Sequence, residues 1–548
     1  MGEVFDRVVA LRPRRSDWPV GGGDLLAGLT VAVVALPLAL AFGVASGLGA
    51  QAGLATAVVA GLVAAIFGGS NLQVSGPTGA MTVVLLPVVA RFGPDGVLMV
   101  GAMAGVLLVV FALTGLGRLV SYLPMPVVEG FTVGIAVVIA LQQVPAALGV
   151  PASGSEHVSR VAIDAVEAFA RDPSLGSVAI GLSVAVVMLV GARVRPGVPF
   201  SLFAVAAATL LTSVLSVATP TLGAIPSGLP APSVGFVDFG RLEAMLPAAL
   251  ALAALGALES LLSATVADGM SVSHRTDPDR ELFGQGLANI AEPVFGGVPA
   301  TGAIARTAVN VRAGASSRLS AVVHALVLAA IAFSSASLVA EIPLAALAGV
   351  LFATAVQMAQ SASIGALVRA SRGDAAVMAL TFAVTVFVDL VSAVAVGVGV
   401  AVMLALRSVA SAARLEHVPI EHGDHSVEER KLLAERIVAY RLDGPLVFAA
   451  AHRFLLELTE VAAVDVVILR MARVSTIDAT GAGVLGDAIT HLERRGIIVL
   501  LSGVAAQHAD VLSVLGEKAR LREQGRVFAT TLEAIAHAPA MLIARETS

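Results

Sequence analysis

Charged side chains inside long apolar stretches are the residues of this sequence that could first do chemistry. Glu259 lies in the run Gly256–Ser260, and Arg306 closely follows a motif of small residues. A charge within a membrane-spanning segment is costly and is a functional candidate by default. Because burial disfavours an ionised carboxyl group, we predict that Glu259 is a coupling residue that binds and releases a proton, and that Arg306 adds positive charge beside a ligand. The alternatives are a structural carboxyl group bonded to a neighbouring span, and an arginine that extends to water.

Two motifs of small residues repeat across the sequence. One reads Pro-Thr-Gly-Ala from residue 77, and the other reads Pro-Ala-Thr-Gly-Ala from residue 299. We interpret each as the start of a half-helix, with its proline in the first turn, where a missing N–H costs nothing. Free N–H groups and positive dipole ends would then point at one spot, which suits an anion. The alternative is a pair of ordinary kinks in packed helices. The predicted anion-binding residues are Thr78, Gly79, Ala80, Thr301, Gly302, Ala303 and Arg306.

The composition places these motifs in a membrane. Hydrophobic residues make up 57% of the 548 residues and charged residues 13%, against about 25% charged residues in a soluble domain. This excludes an ordinary soluble enzyme and a disordered protein, and the net charge of −5 gives no basic field for nucleic acid. The sequence has no cysteine, which excludes disulfides and Cys-type metal sites, and we predict no cofactor.

The hydropathy pattern supplies the elements that must hold the motifs. A span needs roughly 20 apolar residues; eleven stretches are predicted to cross, and three are too short or too broken to cross alone, which gives fourteen segments. The spans are predicted near residues 24–46, 52–68, 96–116, 126–147, 177–194, 199–217, 245–268, 319–339, 342–360, 375–390 and 391–408, and the partial spans near 77–90, 285–297 and 301–312.

The motifs open the third and the tenth of these segments, so each is third in a half of seven. Seven is odd, so the two halves have opposite orientations, which indicates an inverted-repeat secondary transporter. Irregular backbone at membrane depth is tolerated where it is buried in protein or lines a cavity. The predicted fold class is an α-helical membrane protein with fourteen transmembrane segments in a 7+7 inverted repeat, followed by a small cytosolic α/β domain.

Arginine placement predicts the orientation. With the N-terminus in the cytosol, the inside loops carry arginine, and the short outside turns near residues 46–51, 340 and 390 carry no Lys or Arg. Asp389 favours a break between the last two spans, and an even number of segments returns the C-terminus to the cytosol. We therefore predict a multi-pass protein of the cell (inner) membrane with both termini inside. The inside arginines are Arg118, Arg193, Arg195, Arg275, Arg280, Arg312, Arg318, Arg369, Arg372, Arg407 and Arg414; Arg91 is the exception.

A shift in composition predicts the domain boundaries. Residues 1–23 form a cytosolic N-terminal segment, and residues 24–412 the transport domain, with halves at about 24–217 and 245–408. Residues 413–434 form a linker, and the charged, mixed residues 435–548 form the second domain.

Several stretches of the sequence resemble the SulP family of anion transporters (solute carrier family 26). They are Asp24–Ala32 followed by Leu36-Pro37, then Glu259–Ser263, Ala267–Met270, Glu281–Asn289 and Ala303–Ala315. The resemblance implies core and gate domains, an anion site between the third and tenth segments, an elevator-like motion and a homodimer. It is closest to the bacterial C4-dicarboxylate branch, whereas the sodium-coupled bicarbonate branch usually has Asp where this chain has Glu259. Leu38 stands where the family often has Gln.

The second domain carries a motif of its own. Strands are predicted at 446–449, 464–469 and 497–501, and helices at 454–461 and 480–493. The segment Ser475–Leu485 resembles the signature loop of STAS domains, which places Thr480 at the phosphorylatable hydroxyl position. Phosphate there would lie at a helix N-terminus, and the domain could bind a cytosolic partner. The alternative is that Thr480 caps the helix.

Together these features predict a secondary anion transporter that is not an enzyme. The leading hypothesis is proton-coupled uptake of a small anion such as a C4-dicarboxylate or sulfate, in contact with membrane lipid and without nucleic acid. Sodium-coupled bicarbonate transport is the alternative within the family. A membrane-anchored STAS signalling protein is the alternative of another class, and a nucleobase carrier is a third hypothesis.

Overall fold

The computed structural model describes residue 18 and residues 22–118, 124–153, 155, 157–195, 198–224, 226–271, 275–360, 362–388, 390–412, 414–418, 436–447, 464–514 and 517–546. They divide into two units, residues 1–398 and 399–548. Asp389, the predicted helix at 454–461 and most of the predicted N-terminal segment and linker lie outside the described residues.

Helices build the first unit, and the last of them continues into the second unit. The first set is α1 Asp24–Ala45, α2 Ala50–Phe67, α3 Gly79–Thr114, α4 Met125–Leu148, α5 Val158–Arg171, α6 Leu175–Val194, α7 Phe200–Val214 and α8 Leu242–Met270. The second set is α9 Pro278–Ala291, α10 Ile304–Arg312, α11 Leu319–Ser334, α12 Ala336–Ala340, α13 Leu344–Ala359, α14 Ala362–Ala370, α15 Arg372–Phe387 and α16 Leu390–Ala412. Within the described ranges, seven helices are long and apolar enough to cross a membrane. The count of fourteen spans remains a prediction.

The long helix α3 is two helices joined at a kink. Gly93 has φ 75° and ψ −176°, a backbone conformation that interrupts the helix and that glycine adopts without steric cost. Pro94 follows and starts the next stretch, where its missing N–H is harmless. The residues before Gly93 therefore form a short helix, in agreement with the separate segments predicted at 77–90 and 96–116.

Two short strands cross at the start of the half-helices. β1, Ser75–Gly76, pairs antiparallel with β2, Thr301–Gly302. β1 leads into α3 and β2 into α10, so the pairing brings the repeated motifs together.

The prediction that a proline fills the first turn of each half-helix is wrong. Pro77 precedes Thr78, the N-cap of α3, and Pro299 precedes β2. Each proline lies in the extended chain that leads into its half-helix. Proline disfavours the helical conformation in the residue that precedes it, which keeps this chain extended.

Two amphipathic helices lie where no helix was predicted. In α5, Ala162 and Ala165 are buried while Ile163 and Val166 are exposed. The other is the nine-residue α14, whose Val368 is exposed. Both are too short for a span-length apolar signal, since α5 has 14 residues, several of them charged, and α14 has nine.

The second unit is an α/β structure around a five-stranded sheet. The sheet runs in the order β3-β4-β5-β6-β7, and β3 is antiparallel to β4 while the others are parallel. Its elements are β3 Arg414–Val418, β4 Ile437–Leu446, β5 Val466–Ile477, α17 Ala479–Arg494, β6 Ile498–Ser502, α18 Ala506–Val514, α19 Glu517–Glu523, β7 Val527–Phe528 and α20 Thr531–Glu546. β6 and α17 lie where they were predicted, whereas β5 begins in the predicted strand at 464–469 but continues to Ile477. The strand predicted at 446–449 was placed too late, because β4 ends at Leu446.

Both faces of this sheet are covered. Leu485 of α17, Leu512 of α18 and Leu521 of α19 pack in one buried cluster with β5 and β6. Ala538 and Leu542 of α20 pack in the other. Strands buried on both faces are typical of α/β proteins.

The close crossing of α1 and α2 generates a stability prediction. A Cβ atom at Gly53 would come within 2.0 Å of the Ala39 carbonyl oxygen and 2.8 Å of Gly43 Cα. We expect Gly53→Ala to destabilise the protein by about 1–3 kcal/mol through overpacking. The measurement is the apparent midpoint of thermal unfolding of the purified protein in detergent. Gly269→Ala in α8 is the control, since a Cβ there meets nothing within 4 Å; equal midpoints for the two variants would contradict the prediction.

Candidate functional site

One face of α8 supports β2 and α10. The Ser260 Oγ lies 2.7 Å from the Thr301 Oγ1 and accepts the Gly302 N–H at 3.2 Å. One turn further, the Ser263 Oγ lies 2.9 Å from the Thr307 Oγ1. The Thr301 hydroxyl and the Gly302 N–H are therefore engaged in positioning the half-helix. Both residues are buried.

Glu259 and Arg306 both form hydrogen bonds to the chain at the start of α3. The Thr78 hydroxyl donates to Glu259 Oε2 at 2.8 Å, and Arg306 Nη2 donates to the Pro77 carbonyl. Arg306 is 1% exposed, so it does not extend to water. A Cβ at Gly76 would come within 2.4 Å of Arg306 Nη1, so this glycine makes room for the guanidinium group. A carboxylate and a guanidinium group thus both bond to the residues that lead into α3.

The first turns of both half-helices keep donors that side chains do not cap. Thr78 and Ala303 are the N-caps of α3 and α10, and neither makes a side-chain capping bond. The initial N–H groups of a helix have no intrahelical acceptor. The predicted Gly79 and Ala80 supply such groups in α3. In α10 these groups come from Ile304 and Ala305, which the sequence interpretation missed.

The pairing of β1 with β2 explains this difference. In the second motif, Thr301 and Gly302 form β2, and the Ala303 N–H donates to the Val74 carbonyl at 2.9 Å. Helix α10 therefore begins one residue after the motif ends. The repeated tripeptide itself contains no signal for this offset.

A cavity of about 40 Å³ lies beside Glu259. Glu259 and Thr132 of α4 supply its polar lining, and Thr132 donates to the Val128 carbonyl at 2.8 Å. The apolar lining includes Phe131, Ile135, Leu258, Leu262, Ile304 and Met358. A cavity needs roughly 10–15 Å³ to hold one water molecule. This cavity therefore has room for a small ion. Thr132 was not predicted, because nothing in the sequence of α4 sets it apart.

The loop that leads into β1 is fastened by a residue of the other half. Glu281 of α9 accepts the N–H groups of Gly69 and Ser70 at 2.8 and 3.0 Å. The same carboxylate accepts the amide groups of Gln73 and Gln285, both at 2.9 Å. Four donors converge on one buried carboxyl group.

The loop that leads into β2 is fastened in a reciprocal way. Thr56 of α2 accepts the Val298 N–H at 2.7 Å. Asn289 of α9 accepts the Ala300 N–H at 3.0 Å and donates to its carbonyl at 2.8 Å. A Phe-Gly-Gly sequence at residues 67–69 and 295–297 marks the corresponding places and could have located these loops.

Arg318 corrects one part of the orientation argument. It was counted among the arginines of the inside loops, yet it is 1% exposed. Its Nε donates to the Asn71 Oδ1 at 2.7 Å, and its Nη1 donates to the carbonyls of Ala65 and Ile66, both at 3.2 Å. Arg318 therefore closes the C-terminal end of α2, where a cation is favourable.

Thr480 is exposed in the first turn of α17. The helix is capped by Asp478, whose carboxylate accepts the Gly481 N–H at 2.7 Å. The alternative that Thr480 caps this helix is therefore wrong. Its regulatory role remains a prediction.

Comparison with known proteins gives a family match over both parts of the chain. The family model described as the sulfate permease family matches residues 22–381, and that of the STAS domain matches residues 432–534. The putative sulfate transporter YvdB of Bacillus subtilis (strain 168) is 36% identical over 90% of this chain and 93% of its own length. The bicarbonate transporter BicA of Picosynechococcus sp. is 32% identical over 88% of this chain and 89% of its own.

Solved structures show the same fold. The transmembrane domain of a cyanobacterial bicarbonate transporter BicA matches with a TM-score of 0.63 and 34% identity, over 68% of this chain and 97% of that chain. Murine Slc26a9, an anion transporter in the inward-facing state, matches with a TM-score of 0.83 and 19% identity, over 97% of this chain and 94% of that chain. The described fold is thus that of a mostly helical membrane transporter with a C-terminal STAS domain.

The four donors on Glu281 generate a prediction about the scaffold of the site. Glu281→Gln replaces an acceptor oxygen with a donor that faces other donors, so we expect it to lower the stability by about 1–3 kcal/mol. The readout is the apparent midpoint of thermal unfolding in detergent. Glu341→Gln makes the same chemical change at an exposed position and is expected to have no effect. If Glu281→Gln unfolds at the midpoint of this control, the carboxylate does not stabilise the loop.

Proposed function

The chain belongs to the sulfate permease family, and from this premise we propose that it couples a proton to the uptake of a small anion, with sulfate as the first candidate. Members of this family are transporters and not enzymes. The observation that carries the proposal is the carboxylate of Glu259, which lies beside the cavity, bonded to the N-cap of one half-helix and close to the guanidinium group of the other.

The charges at the crossing support the coupling of a proton. Each helix N-terminus acts as roughly half a positive charge, and Arg306 and Glu259 add one charge of each sign. The site then carries about +1 when Glu259 is ionised and about +2 when it is protonated. A divalent anion such as sulfate is therefore matched by the protonated site, so that proton and anion favour each other's binding.

The geometry favours sulfate over a C4-dicarboxylate. A dicarboxylate separates its charges along a carbon chain and would be matched by cations at two separate points. Arg306 is the cation that the described residues place at the crossing, and the cavity beside Glu259 is about 40 Å³. A compact anion needs one positive centre and little space.

Sodium-coupled bicarbonate transport is the alternative. Relatives of this chain are named as sulfate and as bicarbonate transporters. A monovalent anion is matched by the site with Glu259 ionised, and the carboxylate could then hold a cation. On this proposal, a divalent anion is coupled to a proton, and a monovalent anion is coupled to a sodium ion.

We also propose alternating access by an elevator-like motion. The cavity separates Glu259 and Ile304 on one side from Phe131, Ile135 and Met358 on the other. An apolar wall without hydrogen bonds across the cavity can slide past the site at little cost. The homodimer, the cytosolic position of both termini and a partner at the STAS domain belong to the same proposal.

Uptake into proteoliposomes tests the function. We expect an inward proton gradient to drive the uptake of labelled sulfate, and Glu259→Gln to abolish this drive, since a neutral amide cannot carry the proton. Glu341→Gln is the matched control on an exposed carboxyl group. Labelled fumarate and bicarbonate, each with a proton gradient, a sodium gradient or neither, complete the set. Sodium-driven bicarbonate uptake would replace the proposal with its alternative, and no uptake of any anion would contradict it.

A truncation separates transport from signalling. If the chain is a membrane-anchored STAS signalling protein, the membrane part has no transport activity of its own. We expect a protein that ends at about residue 415 to retain sulfate uptake, because Glu259, Arg306 and both half-helices precede this point. Uptake is compared with that of the full chain at equal amounts of inserted protein. A truncated protein that inserts normally but does not transport would favour the signalling hypothesis.

A further inference from the structure

A second and larger cavity lies away from Glu259, where α6 ends and α7 begins. Its volume is about 190 Å³, more than the roughly 150 Å³ of an engineered apolar cavity that binds benzene. Its walls are mainly apolar and include Val34 of α1, Met188 and Ala192 of α6, Phe200 of α7 and Val309 of α10. We call it the α10 crevice.

Apolar side chains on the helices that border the α10 crevice are exposed. Leu26 of α1, Val194 of α6 and Phe203 of α7 are 64%, 70% and 57% exposed. Exposed residues of this kind on membrane helices face hydrocarbon. The helices that form the crevice therefore also present apolar surface to lipid chains.

One cation lines the α10 crevice. Arg312, the last residue of α10, is exposed and has no ion pair or hydrogen bond among the described residues. The exposed Arg193 and Arg195 lie at the nearby end of α6. A guanidinium group prefers a phosphate, which it can bind through two parallel hydrogen bonds.

We propose that the α10 crevice binds an anionic glycerophospholipid, with its phosphate at Arg312 and an acyl chain along the apolar wall formed by Val34, Met188 and Ala192. A free inorganic anion could bind Arg312 and the polar lining residues Thr30, Ser201 and Gln357, but it would leave the apolar walls without a partner. A neutral lipid would fill the walls but gain less from Arg312. An anionic amphiphile satisfies both parts of the crevice.

Occupancy of the crevice has a consequence for transport, which rests on the proposed function. The elevator-like motion would move α10 past α6, α7 and α13, and the crevice lies between them. A lipid bound there would move with one side or leave, so the rate of uptake would depend on the lipid. Binding itself does not depend on transport and can be measured without it.

Native mass spectrometry of the purified full chain tests the binding. The protein is titrated with dioleoylphosphatidylglycerol and, separately, with dioleoylphosphatidylcholine. We expect tighter binding of the phosphatidylglycerol, and a loss of roughly five-fold in Arg312→Gln, as for one arginine at a lipid headgroup. We expect Ala192→Leu, which fills the apolar wall without changing charge, to weaken the binding of both lipids.

Arg369→Gln is the matched control, because Arg369 is exposed and lies outside the crevice. An equal loss in Arg369→Gln would mean that general surface charge attracts the lipid, and would overturn the proposal. Unchanged binding in either Arg312→Gln or Ala192→Leu would overturn it as well. Since no anion is transported in this experiment, its failure leaves the proposed function standing, and a failure of uptake leaves the lipid site standing.

Discussion

Backbone that leaves the helical conformation inside an apolar protein must find its hydrogen-bond partners within that protein. The crossing of β1 and β2 meets this constraint with groups from four helices, namely Thr56 of α2, Ser260 of α8, Glu281 and Asn289 of α9, and Thr307 of α10. The first turns of α3 and α10 are the places where uncapped donors remain. Those donors can face a ligand because no side chain caps them.

The charged groups of the site share in this scaffold. Glu259 contacts the N-cap of α3, and Arg306 reaches from α10 to the carbonyl that precedes it. A change in the charge of Glu259 therefore alters a contact that positions a half-helix, as well as the electrostatic field of the site. Since the cavity beside Glu259 is small and mainly apolar, few groups are available to compensate for such a change.

Much of the architecture could be predicted because it rests on local patterns. Helix positions follow from runs of apolar residues, and the Thr-Gly-Ala repeat located both half-helices. The bonds that hold the site did not follow from these patterns. Glu281 and Gly69 are 212 residues apart, and one glutamate among the polar residues of α9 carries no sign of the four donors around it. Thr301 matches Thr78 in sequence, and both hydroxyls bond to α8, but Thr78 is the N-cap of α3 whereas Thr301 lies in β2, before the N-cap of α10.

The pairing of β1 with β2 also limits when the site can form during biosynthesis. The Val74 N–H finds its acceptor on Thr307, 233 residues later in the chain. At a synthesis rate of roughly 5–20 residues per second, about 10 to 50 s pass before that acceptor leaves the ribosome. During this interval the strand that will become β1 has no partner strand. The strand that becomes β1 therefore cannot complete its hydrogen bonds until the residues around β2 have been synthesised.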